Sequence, residues 1–155
     1  MSELSKAIVI FDTVFGNTEK IAKALASGME MQGVKADCVK VDEVDINKLD
    51  EYDLLAIGGP THMHGISKPM KAFLEKLRNA DIKGKKVFAF DTKVEAWWAG
   101  SAGKGIEKRL KKMRLSLVKP HSSAIVTGRE GPLEEGLEEK FAQIGVEIAE
   151  LIQRR

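Results

Sequence analysis

The stretch "AIVIFDTVFGNTEK", residues 7–20, decides how the rest of the chain is read. Its first five residues are apolar without alternation, as a strand covered on both faces requires. Asp12 to Thr18 then packs one glycine, two threonines and an asparagine into a turn. Beyond it Ile21, Leu25 and Met29 recur at four-residue steps, the period of a helix. A strand ending at Phe11 and a helix starting near Thr18 make a βα unit. Free amides at such a helix start, with its dipole, favour an anion by about 0.3–1 kcal/mol, rising to ~2 when partly buried. Thr13 and Thr18 offer hydroxyls and Asn17 an amide, while Gly16 allows close approach to the backbone. Read alone, the loop is either a phosphate cradle or a plain turn capped by Thr and Asn.

Working outward, two more continuous apolar runs read as buried strands, Leu54 to Ile57 and Val87 to Phe90. Val34 to Val41 alternates more and suits an edge. A fifth strand runs through residues 115–126, interrupted by Pro120. Helical periods lie between them, through Met70, Phe73, Leu74 and Leu77, then Ile106, Leu110 and Met113. The last helix carries Leu137, Phe141, Ile144, Ile148 and Leu151. Glu134 and Glu135 are placed in its first turn and Arg154 and Arg155 at its end, each matching the helix dipole. Gly100, Ser101 and Gly103 read as the start of the third helix. Alternating strands and helices predict a three-layer, doubly wound α/β sheet formed as one domain over residues 1–155. Ligands of such sheets bind beyond the carboxyl ends of the strands, here at the loops after strands one, three and four.

Composition narrows the function classes. The 155 residues are 43% hydrophobic and 31% charged, values of an ordinary globular chain. A net charge of +2 is too small to argue for nucleic acid. The one concentrated basic stretch, "KGIEKRLKKMR" at 104–114, reads as a solvated helix face or as a docking patch for an acidic partner. No apolar run approaches the ~18 residues of a membrane span. One cysteine, Cys38, excludes an internal disulfide and reads as a small buried thiol. His62, His64 and His121 lack the cysteine or carboxylate partners of a zinc site, so no metal is expected. The opening "MSELSKAIVIF" is too short and too quickly charged for a secretory signal, which predicts a cytoplasmic location.

The first loop has neither the Gly-Lys-Ser/Thr ending of a Walker loop nor the three glycines of a dinucleotide fingerprint. The second loop, "GGPTHMHGISK" at 58–68, is tight at Gly58-Gly59-Pro60 and then polar and soft. The third, "DTKVEAWWAGSAGKG" at 91–105, holds both tryptophans of the chain. Two exposed indoles either anchor the loop to the protein or cover something apolar. A flat ring is a natural partner, since stacking adds roughly 0.5–1.5 kcal/mol beyond area burial.

These residues resemble the flavodoxin family. "IFDTVFGNTEKIAKAL", residues 10–25, is similar to the loop that holds the phosphate of flavin mononucleotide (FMN) there. The resemblance implies side-chain donors at Thr13, Asn17 and Thr18, and amide donors from Val14, Phe15, Gly16, Asn17 and Thr18. Phe15 stands where flavodoxins usually carry a hydroxyl residue, and Asp12 is expected to point away from the phosphate. Pro60, Thr61, His62, Met63, His64 and Gly65 would run along the flavin ring, with Met63 on the ring and His62 or His64 near its edge. The Pro-Thr-x-x-x-Gly form is similar to the flavodoxin-like domains of flavodiiron proteins. Asp91, Thr92, Lys93, Trp97, Trp98 and Gly100 would complete the site, with Trp97 or Trp98 stacked on the ring.

The resemblance spans Ala7 to Ile152, lacks the long insertion in the fifth strand, and implies a short-type, five-stranded parallel sheet in the order 2-1-3-4-5. It implies a low-potential one-electron carrier serving redox protein donors and acceptors, as a monomer or weak dimer, with no catalytic residue of its own. Asp91 and Glu95 would disfavour the anionic reduced ring. Lys93 and the histidines counter them, so a less extreme potential is expected than in acidic relatives. An NAD(P)H-dependent quinone or flavin reductase of the same fold is the alternative, though no nicotinamide constellation is visible. A receiver-type signalling module needs an aspartate where Gly58-Gly59-Pro60 stands. A scaffold without flavin is left open by Phe15.

Overall fold

The computed structural model describes residues 5–96 and 98–153. The chain opens with β1 (Lys6–Phe11), α1 (Asn17–Met31) and β2 (Lys35–Lys40). Two short 3-10 turns, Val41–Glu43 and Ile46–Glu51, cross to β3 (Leu54–His62), followed by β4 (Gly65–Ile66) and α2 (Lys68–Leu77). Then come β5 (Lys86–Val94), α3 (Ala102–Lys112), β6 (Ser116–Leu117), β7 (Ser122–Val126) and α4 (Leu137–Gln153).

β1 lies between β2 and β3, both parallel to it, and β5 lies beyond β3. β6 and β7 both pair with β5 on its outer side, β6 at its start and β7 at its end. They are the two halves of the expected fifth strand, with Pro120 between them, so the sheet reads 2-1-3-4-5 in order of position. Proline has no amide to donate to a ladder, which explains the interruption.

Successive residues of the central strands feed opposite layers. Ala7, Val9 and Phe11 pack with Leu54, Phe88 and Phe90 beneath α1 and α4, against Ile21, Leu25, Phe141 and Ile148. Ile8 and Ile10 pack with Leu55, Ile57, Val87 and Ala89 beneath α2 and α3, against Met70, Leu74, Ile106 and Leu110. Both faces are covered, which is why these strands read as continuous apolar runs.

Several boundaries move from their expected places. β3 runs on to His62 and β5 to Val94, so Gly58 to Thr61 and Asp91 to Lys93 are strand residues rather than loop. Thr61 pairs with Ile66 and His62 with Gly65, an antiparallel arm that periodicity does not show. Val34 and Val41 fall just outside β2. Glu134 and Glu135 precede α4, whose first-turn acids are Glu138 and Glu139. The Glu134 amide instead donates to the Ile125 carbonyl (3.0 Å). Arg154 and Arg155 lie outside the described residues.

α1 and α4 approach through Gly28 and Gly145. A Cβ on Gly28 would run into the Ala142 carbonyl, and one on Gly145 into the Leu25 carbonyl. At the opposite layer edge, the Tyr52 hydroxyl donates to Asp37 (2.6 Å). Burial and that carboxylate push the Tyr52 phenol up to about 12. Burial alone dominates at Cys38 in β2, where the thiol is pushed up to about 11.

Two outcomes follow for stability. Gly28→Ala should destabilise the fold by about 1–3 kcal/mol in urea unfolding, because the two helices must separate to admit the methyl group. Both Cys38 and Tyr52 hold their protons more tightly when folded. Their contribution is therefore complete below the unfolded-state values, near 9 and 10, and is lost as pH rises toward 11 and 12. Midpoints measured from pH 8 to 11 should fall, and Cys38→Ala with Tyr52→Phe should flatten that fall.

Candidate functional site

Three connections meet at the carboxyl edge of the sheet, after β1, β3 and β5. The first is drawn tight by its own atoms. The Gly16 amide donates to the Thr13 hydroxyl (2.9 Å), and Gly16 caps α1 in the left-handed region at φ 91°. The Lys20 amide takes the Gly16 carbonyl. The amides of Asn17, Thr18 and Glu19 thus have no intrahelical acceptor. Val14 and Phe15 project outward, 59% and 47% exposed. Asp12 is buried and accepts from the Ser67 hydroxyl (2.5 Å) at the α2 N-cap, which tucks its charge beneath the loop.

Two expected donors are engaged within the protein. Asn17 Nδ2 donates to the Glu130 carbonyl (3.1 Å). The Thr18 hydroxyl is buried and shares a hydrogen bond with the Thr92 hydroxyl (2.8 Å), which locks α1 to β5. Each side chain is thus held in place by one hydrogen bond beside the loop, and the side-chain amide nitrogen of Asn17 carries a second N–H. Thr13 keeps its own hydroxyl hydrogen available.

The second connection is a two-residue hairpin between β3 and β4. Its central residues, Met63 and His64, both have positive φ, 49° and 71°. Such turns match the twist of paired strands, yet they normally use Asn or Gly. Left-handed backbone costs roughly 1–2 kcal/mol per non-glycine residue. Met63 is 84% exposed at the tip, and Pro60, Thr61 and Gly65 are partly covered along the arm. His62 is exposed.

The third connection leans on the second. His64 Nδ1 donates to the Trp98 carbonyl (2.6 Å), which sets the tautomer, and the two rings meet edge-on at 6.1 Å between centroids. Gly100 passes so close that a Cβ there would collide with the His64 carbonyl. Trp98 remains 57% exposed, and Trp97 lies outside the described residues. Lys93 is partly covered near the end of β5.

Asp91 does not face the loops. It is fully buried and turned toward the start of α3. Its Oδ2 accepts from the Ser101 hydroxyl (2.5 Å) and the Gly103 amide (2.8 Å), with the Thr61 hydroxyl at 3.5 Å. Thr61 in turn accepts from the Ala102 amide (3.0 Å). A carboxylate at a helix N-terminus is favoured by both amides and dipole, so Asp91 fastens the third loop. Its Oδ1 is buried without a protein partner.

Other candidates stand apart. His121 lies against Glu107 of α3, Nδ1 3.5 Å from Oε1, away from His62 and His64 in the fold's layout. Among the described residues no group of three His, Cys, Asp or Glu is arranged to hold a metal. Among the same residues no helix is long and apolar enough to cross a membrane. A groove of about 570 Å³ between α2 and α3, lined by Leu74, Arg78, Arg109 and Met113, opens where both helices end, at the amino edge of the sheet. The loop after β7 also reaches the site, its Glu130 carbonyl accepting from Asn17, a contact that no motif in the sequence marks.

A family model described as flavodoxin matches residues 9–144. The chain belongs to the flavodoxin family. A flavodoxin of Aquifex aeolicus is 33% identical over 103 residues, 66% of this chain and 53% of that protein. A nitric oxide reductase of Moorella thermoacetica is 30% identical over 118 residues, 74% of this chain but 29% of that protein. A solved flavodoxin from the domain Archaea superposes with a TM-score of 0.82 at 24% identity, covering 96% of this chain and 99% of that one. The match spans about half the length of the flavodoxins of Aquifex aeolicus, Clostridium saccharobutylicum and Bacillus subtilis. Flavodoxins bind FMN, and the donor set here fits that group. Gly16 opens the loop, free amides begin α1, and exposed apolar side chains ring the edge above them.

Asp91→Ala should cost more than Ser101→Ala in urea unfolding. The first strands two donors at the start of α3, each worth about 1–3 kcal/mol when buried and unpaired, while the second loses one N-cap worth ~1 kcal/mol.

Proposed function

We propose that this protein is an FMN-dependent carrier that takes single electrons from one redox protein and passes them to another. The observation that carries the reading is the exposure of Val14, Phe15, Met63 and Trp98 on three loops at one edge of the sheet. Leaving such side chains in water forfeits roughly 1.5–3 kcal/mol each. A flat apolar ring lying among them removes that loss.

Bound FMN would supply a ring that gains and loses electrons one at a time. The chain's residues do the rest. The amides of Val14, Phe15, Asn17 and Thr18 and the Thr13 hydroxyl would bind the phosphate at the α1 N-terminus, the Gly16 amide being taken by Thr13. Pro60 to Gly65 border one side of the ring. Trp98, held by His64, and Met63 would cover its apolar surface. Thr92 and Asp91 brace the site from within the protein, and Gly100 keeps the ring loops in contact. The strained Met63–His64 turn would present main-chain amides and carbonyls to a bound ring.

Partners approach the same edge. Lys104 is exposed in the first turn of α3, at that edge, with Lys108 one turn further on, and rim charges of one sign steer encounter with an oppositely charged surface. Acidic redox proteins are therefore the favoured partners of a monomer or weak dimer. A single half-covered thiol without a disulfide partner suits a reducing cytoplasm.

The test is a visible spectrum of the purified protein with FMN during stepwise reduction. A yellow complex that develops a long-wavelength band at the one-electron stage is expected. Direct bleaching by NADH or NADPH without that band would assign a reductase instead, and a protein that refuses FMN would overturn both readings.

A further inference from the structure

The loop before α1 holds Asp12 and no cation between residues 12 and 18. Asn17 and Thr18 each make one hydrogen bond within the protein, and what the loop offers a phosphate is amides, neutral side-chain donors and the helix dipole. No charge in the loop itself neutralises it.

The partner of Asn17 brings one. After β7 the chain forms a closed, hydrogen-bonded tip. The Thr127 amide and hydroxyl both donate to the Pro132 carbonyl (2.8 and 3.0 Å), and the Gly131 amide donates to the Gly128 carbonyl (3.0 Å). Val126 bridges to Leu133 behind them. Arg129 and Glu130 are the two central residues of the turn this closes. The Glu130 carbonyl is the acceptor for Asn17, and a Cβ on Gly131 would stand 2.7 Å from Asn17 Nδ2. The tip is thus fastened to the first residue of α1 by its main chain. Arg129 is one residue away, about 3.8 Å from Cα to Cα. It is exposed and has no ion pair among the described residues.

We propose that Arg129 is a phosphate-binding residue of this chain, a cation lent by the β7–α4 loop to the anion held at the α1 N-terminus. The proposal rests on the FMN reading above. A guanidinium carries a permanent charge and forked N–H donors that match phosphate oxygens. It would take over the place left by Phe15, whose side chain points to solvent and donates nothing. The fastening uses the Glu130 carbonyl rather than either side chain, so replacing Arg129 leaves the loop in place.

The test titrates the full-length apoprotein with FMN and, separately, with riboflavin, which lacks the phosphate, following flavin fluorescence at low and high salt. Arg129→Gln should weaken FMN binding by about tenfold or more, leave riboflavin binding unchanged, and reduce the salt dependence of FMN binding. Arg129→Lys should recover part of the loss. Equal weakening of both ligands, or unchanged FMN affinity with wild-type melting behaviour, would overturn the proposal while leaving the FMN reading intact. A wild-type protein that binds neither flavin would remove the FMN reading and Arg129 with it.

Discussion

The pairing of β1 with β3 governs the rest of this molecule. Phe11 lies opposite Gly58, and the Asp12 amide extends the ladder by one bond to the Gly58 carbonyl (3.1 Å). β2 leaves β1 on one side and β3 joins it on the other, so the helices that follow diverge to opposite faces. A crevice opens where they part. The start of α1 falls on one wall of it and the β3–β4 arm on the other. Gly58 is bare because the Phe90 ring fills the space a side chain would need. The core of one layer and the floor of the site are therefore the same contact.

Polar side chains near the crevice work mainly as fasteners. Asp12 ties the first loop to the start of α2 through Ser67, and Thr18 ties α1 to β5 through Thr92. Asp91 ties β5 to the start of α3. Asn17 ties α1 to the loop after β7. Each is buried, and a buried polar group without a partner costs about 1–3 kcal/mol, so these residues find partners within the protein. What then faces outward is main chain, the Thr13 hydroxyl, the exposed His62, His64 and Glu95, and a set of apolar side chains. That division suits a carrier, which holds its cofactor by shape and amides and leaves an apolar rim for other proteins.

Much of this was legible in the chain. Continuous apolar runs marked strands with two covered faces, and four-residue steps marked the helices, because burial imposes those periods directly. The glycine and hydroxyl residues of the first loop, in order with the Pro-Thr loop and the tryptophans, identified the family. The roles of Asn17, Thr18 and Asp91 within the site were not legible. Donor chemistry is local, but the acceptor each one meets is distant in sequence, 113 residues away for Asn17. Strand ends were misjudged for a related reason. Asp91 to Val94 are polar or mixed, and they remain in a strand because Ser122 to Val126 pair with them on the outer side.

By itself the sequence determined the layering, the order of elements and the family, since all three depend on burial patterns and short motifs that neighbours in the chain carry together. Only the tertiary structure decided which distant partners the polar residues of the three loops meet. It also showed that the loop bearing Arg129 rests against the start of α1. Such choices depend on which groups the fold brings within hydrogen-bond distance, and neither spacing nor composition records that.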